Sequence, residues 1–142
     1  MDNENASIEF HDSQLRGVVQ IGDHCILFLR AYVHRTTGRP GIDSGTGWTQ
    51  AAAIVLNRSD TDENSAGLPA EIFHGELTMF DGPHNLIPMP FSYRGSVGLR
   101  LDSEFSHIIL IKSQGVSVLP IGDPVYVEEV CAMSEGLNLF DP

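Results

Sequence analysis

Cys25-Ile26-Leu27-Phe28-Leu29-Arg30-Ala31-Tyr32-Val33-His34 is the stretch that decides the fold. It opens apolar on both sides and then alternates. With successive side chains on opposite faces of a strand, Leu27, Leu29, Ala31 and Val33 share one face and Arg30, Tyr32 and His34 the other. That pattern is a β-strand with one face in a core. A glycine-rich loop follows at once, Arg35-Thr36-Thr37-Gly38-Arg39-Pro40-Gly41-Ile42-Asp43-Ser44-Gly45-Thr46-Gly47, and ends at Trp48, the only tryptophan.

The same signal recurs outward in both directions. Gln14–Ile21 reads as a strand joined to the Cys25 strand by a Gly22-Asp23 turn, a hairpin. Ile72–Phe80 alternates, with Phe73, Leu77 and Met79 on the inward side. Ser96–Asp102 alternates cleanly, and 107–112, 116–119 and 125–130 complete the set, separated by turns at Gln114-Gly115 and Gly122-Asp123. The segment 48–56 is open between strand and helix, because Ala51, Ala52 and Ala53 blunt the period of two. No segment carries a sustained 3.6-residue apolar stripe. About eight short strands in 142 residues predict a single all-β domain spanning 1–142, an antiparallel β-sandwich or a partly open barrel. The ends, about 1–6 and 134–142, read as loosely ordered.

Composition narrows the function classes. Eight Lys+Arg against 19 Asp+Glu give a formal net charge of −11, which repels phosphate backbones and anionic lipid surfaces. Nucleic acid and membrane are therefore disfavoured as partners. No apolar run is long enough for a spanning helix, and Met1–Asn5 has neither a basic nor an apolar leader character. Cys25 and Cys131 read as free thiols, which with the missing leader suggests a cytoplasmic protein.

Three loops are candidates for chemistry. In 35–47, four glycines permit close backbone approach to a ligand, and Arg35 and Arg39 have the fork geometry that clamps an anion. It lacks the Gly-Lys-Ser/Thr ending of a P-loop. The plain alternative is a crossover loop whose arginines pair with carboxylates such as Asp43. In 60–71, Asp60, Asp62, Asn64 and Glu71 fall at positions 1, 3, 5 and 12 of a calcium-loop spacing, but Ser65 stands where such a loop needs glycine and Pro69 disturbs its geometry. In 81–90, Pro83, Pro88 and Pro90 stiffen a loop carrying Leu86, Ile87 and Met89, suited to plug a barrel end. The histidines show no metal-ligand spacing, His11-Asp12-Ser13 is not a triad merely because its letters are contiguous, and no nucleophile elbow is present. No cofactor is implied. Together Arg30, Tyr32, His34, Arg35, Arg39, Asp43 and Trp48 make the candidate binding set, rich in the residue types that dominate interfaces.

Ile8-Glu9-Phe10-His11-Asp12-Ser13, with His34-Arg35 and Pro40-Gly41-Ile42-Asp43-Ser44-Gly45-Thr46-Gly47-Trp48, resembles a family of small bacterial proteins of unknown function. The Phe-His-Asp-Ser start is also similar to β-rich immunity-type proteins that neutralise toxins. The resemblance implies no activity and no site residue. The expectation is a non-enzymatic cytosolic binding module for another protein, an acidic inhibitor being one version. The alternatives are a small-ligand protein or enzyme acting on an anionic molecule through the 35–48 loop, and a structural domain that forms homo-oligomers.

Overall fold

The computed structural model describes residues 4–63, 67–104 and 107–132. It is an antiparallel all-β protein whose eight-strand sheet curls into a half-barrel, so the partly open barrel is the architecture formed. The strands are β1 (Asn5–Ile21), β2 (His24–Thr36), β3 (Gly45–Leu56), β4 (Asp60–Glu63), β5 (Ala70–Glu71), β6 (His74–Met79), β7 (Gly82–His84), β8 (Leu86–Pro88), β9 (Phe91–Asp102), β10 (His107–Pro120) and β11 (Val125–Val130). Their order is β5-β1-β2-β3-β10-β9-β6-β7, with β8 also on β1, β11 on β3 and β4 on β10.

The core follows from the alternation. Leu27, Leu29, Ala31 and Val33 of β2 are buried with Ala52, Ile54 and Leu56 of β3, Val116 and Val118 of β10, and Leu99 and Leu101 of β9. Ala52–Ile54 pair with Leu27–Leu29 on one side and with Val118–Pro120 on the other, so 48–56 is strand. Its alanines are small residues on a strand paired along both edges, and pairing overrides their helical propensity. The curl brings β6 against β1. A Cβ at Gly75 would lie 2.6 Å from the Phe10 Cβ and 2.8 Å from a Leu101 methyl, so only glycine lets the two strands approach this closely.

Several boundaries differ from the sequence reading. β1 begins at Asn5 rather than Gln14, and Ala6 pairs with Arg35. Between Glu9↔Tyr32 and Gln14↔Arg30 the register jumps, with Asp12 at φ 79°. Ser13 holds this bulge, donating to the Glu9 carbonyl at 2.6 Å and accepting the Tyr32 N–H at 2.9 Å. The turn expected at Gln114-Gly115 is a bulge inside one strand, β10, whose register against β9 shifts between Ser113 and Gly115. Phe73, read as inward, is exposed, and Ile72 takes the buried place. The backbone breaks step here, Ile72 N–H bonding to Ser13 and Phe73 N–H to Asp102, which advances the inward residue by one. The proline-stiffened 81–90 stretch forms β7 and β8 and delivers Ile87 and Met89 to the core.

Candidate functional site

The candidate set does not gather at one place. On β2, Arg30, Tyr32 and His34 do share the face opposite the core, but only Arg30 is exposed. Tyr32 is 9% and His34 1% accessible, which corrects the expectation of a row of polar tips open to a partner. Other elements cover them. Gly47 lies beside them on the outer face of β3, and a Cβ there would come within 2.0 Å of the Tyr32 hydroxyl. The phenol crosses that gap and donates to Glu128 Oε2 of β11 at 2.6 Å. Burial first, then the bond to Glu128, raises the Tyr32 hydroxyl well above its ordinary pKa. His34 is capped by the loop, its Nδ1 accepting the Gly41 N–H at 2.7 Å, which leaves the neutral ring's proton on Nε2. Burial lowers the His34 pKa, the charge of Asp43 opposing in part. Glu9, paired across from Tyr32, is raised, chiefly by burial and then by Asp12.

Arg35 and Trp48 lie on the other face. Trp48 pairs with Val33 and packs against the core rim, its indole N–H donating to Thr46 Oγ1 at 2.7 Å. The Arg35 guanidinium sits 5.2 Å over the Trp48 ring, with Glu4 at 3.9 Å, and Tyr126 meets the indole edge-on. Arg39 and Asp43 pair within the loop, where the Asp43 carboxylate accepts the Arg39 N–H at 2.6 Å and its guanidinium at 3.2 Å. The Arg39 bonds hold Asp43 below the ordinary carboxylate range. Each cation of the loop thus has an internal partner.

Of the calcium-loop residues, Asn64 lies outside the described residues. The strand holding Asp60 and Asp62 pairs with β10, whereas Glu71 pairs on β1 and accepts from Gln14 Nε2 at 3.1 Å. Among the described residues no group of three His, Cys, Asp or Glu is arranged to hold a metal. No helix among them is long and apolar enough to cross a membrane. Cys25 is buried and Cys131 exposed, and neither is in a disulfide among the described residues.

What sequence reasoning missed is the other end of the outer face. Register places Gly17, Phe28, Ala53 and Leu119 in one row across β1, β2, β3 and β10, and Val19, Ile26, Val55 and Ser117 in the next. Phe28 is 36%, Val19 41% and Leu119 46% exposed. None of these eight residues is acidic, in a chain of 19 carboxylates. The signal was present in β2, where Ile26 and Phe28 make its first half apolar on both faces. One row further on, His24, Arg58, Arg94, Asn57 and Gln114 line a cleft of about 590 Å³ with Asp23. Comparisons with family models, with curated proteins and with solved structures found no match to this chain.

Proposed function

We propose that the protein is a non-enzymatic, cytosolic binding module that docks another protein on the outer face of β1-β2-β3-β10. The observation that carries this reading is the pair of apolar rows, Phe28–Leu119 and Val19–Val55, which expose Phe28, Val19 and Leu119 and are free of carboxylates in a strongly acidic chain. Contiguous apolar surface of this kind marks interaction sites on soluble proteins. The partner presents an apolar ridge to the rows. Its rim carries both signs, because Arg30 flanks the rows at one end beside Asp12 and Glu71, and Arg58 and Arg94 flank them at the other beside Asp23. An acidic inhibitor's contact with a basic partner belongs instead on the carboxylate-bearing remainder of the surface. Two cysteines outside any disulfide among the described residues fit a reducing compartment.

The test is affinity capture with the wild-type chain, Phe28→Asp and Arg39→Gln side by side, with light scattering at high concentration. A partner retained by wild type and Arg39→Gln but lost by Phe28→Asp supports the reading. Equal capture by all three, or an oligomer that Phe28→Asp dissolves, overturns it, the latter in favour of self-association through the same face.

A further inference from the structure

Six of the eight basic residues lie away from the cleft at the His24 end of the outer face, and the two that line it behave differently from most of them. Arg35, Arg39 and Arg100 each reach a carboxylate, at 3.9, 3.2 and 3.0 Å. Arg16 bonds to Gln14, and Arg30 lies in a cleft with Asp12 and Glu71. The Arg58 and Arg94 side chains make no ion pair or hydrogen bond among the described residues, yet they line one cleft with His24, Asn57 and Gln114. Asp23, the carboxylate of that cleft, lies 3.6 Å from His24 Nε2.

The backbone under these residues is tightly held. Asn57 N–H bonds to the Gly115 carbonyl at 3.0 Å, Gln114 N–H to the Asn57 carbonyl at 2.9 Å and Ser59 N–H to the Asp23 carbonyl at 2.8 Å. Ser113, 2% exposed, donates to the Asn57 and Gly115 carbonyls. This lashing fixes the β3–β4 connection to the β10 bulge, and Arg94 stands opposite Gly115 on β9. Arg58 itself sits at φ 52°, in the left-handed region that glycine or asparagine occupies at lower cost. A long cationic side chain kept in a strained conformation, over-determined by its surroundings, is a pattern found at functional sites.

From this geometry we infer an anion site: the cleft between Arg58 and Arg94 binds a phosphate-type oxyanion. Two guanidinium forks, two side-chain amides and an imidazole supply more donors than a single carboxylate uses, and suit a tetrahedral dianion. The net charge of −11 does not forbid this. At physiological ionic strength charges beyond about 8 Å are largely screened, so the local pair of arginines sets the potential in the cleft. The inference is independent of the docking reading. The phosphate is either free or carried on a phosphorylated side chain.

The experiment is an amide chemical-shift titration of the full chain, first with inorganic phosphate and then with a phosphoserine peptide and its unphosphorylated control. Saturating shifts confined to 57–59, 94–95 and 114–115 are expected. Arg58→Gly relieves the left-handed strain and keeps the fold while removing the cation, and Arg94→Gln removes the second fork. Each weakens binding about tenfold or more, the scale of a charge-assisted hydrogen bond. Arg39→Gln, which removes the same charge at the far end of β2, leaves binding unchanged. Equal affinity for both probes identifies a free-anion site, and tighter, phosphorylation-dependent peptide binding identifies a presented phosphate. Non-saturating shifts in the wild type, or equal weakening by Arg39→Gln, overturns the site.

Discussion

The outer face of β2 has two ends that invert the usual rule. At the His34 end the side chains are polar and yet buried, while at the Cys25 end Ile26 and Phe28 are apolar and partly or openly exposed. The polar end is closed by its own chain: β11 brings Glu128 to Tyr32, and the 35–47 loop brings the Gly41 N–H to His34. The apolar end stays more open, with Phe28, Val19 and Leu119 exposed. A buried polar group that finds its partners internally is structure, whereas apolar surface left in water is surface awaiting something else. The residue types that suggest a binding site to a sequence reader therefore stand mostly where the chain already covers them, with His34 Nε2 and Arg35 Nε buried and without a hydrogen-bond partner among the described residues.

The sharpest way to break the polar end is Gly47→Ala. The new Cβ meets the Tyr32 hydroxyl and ring, which cannot move without surrendering Glu128. Overpacking and a stranded carboxylate partner together cost about 2 to 3 kcal/mol. Urea denaturation measures it. A loss below about 0.5 kcal/mol, the scale of an ordinary surface substitution, would show that the Tyr32–Glu128 bridge contributes little.

How much of this was readable in the residues differs by level. The period of two in 25–34 and 96–102 marked strands and their inward faces, because burial on one side of a sheet leaves that imprint directly. Gly115 and Phe73 were misread for one reason: a bulge or a broken step changes which residue points inward without changing composition. The candidate site was legible as residues and illegible as a place. Arg35 and Trp48 belong to the inward parity of β2 and β3, and Tyr32 and His34 to the outward one. That division follows from the register Val33↔Trp48, which depends on a pairing distant in sequence. The cover over Tyr32 comes from Glu128, 96 residues away. The apolar rows needed four strands to be set side by side before they became a surface.

Acid should loosen the polar end selectively. Burial depresses the His34 pKa below 6.5, so in this range the unfolded chain binds a proton that the folded chain resists. The neutral ring's contribution is intact above pH 6.5 and is lost as the pH falls toward the depressed value, with a slope of at most about 1.4 kcal/mol per pH unit for one proton. Glu9 has the opposite sign: its raised pKa means that stability improves as the pH falls toward 4.5 and the carboxylate is neutralised. The two effects have opposite signs, so the histidine's share is read from the difference between wild type and His34→Gln in melting curves below pH 6.5. His34→Gln flattens that slope. An unchanged slope in the variant would assign the acid sensitivity elsewhere and weaken the view of the 35–47 loop as a lid on His34.

The smallest expected effect on stability tests the apolar end. Leu119 is 46% exposed and stands in the row with Phe28 and Ala53. Leu119→Thr puts a β-branched residue on a paired strand and removes little buried area, so stability changes by no more than about 0.5 kcal/mol. If the row is a docking surface, the same substitution nonetheless weakens partner capture, whereas Gly47→Ala destabilises the fold and leaves capture by the folded fraction unchanged. The two variants then dissociate stability from binding across one sheet face. A Leu119→Thr protein that loses 2 kcal/mol or more, on the scale of a true core truncation, would place this row in the packing of the domain and remove the contrast between its two ends.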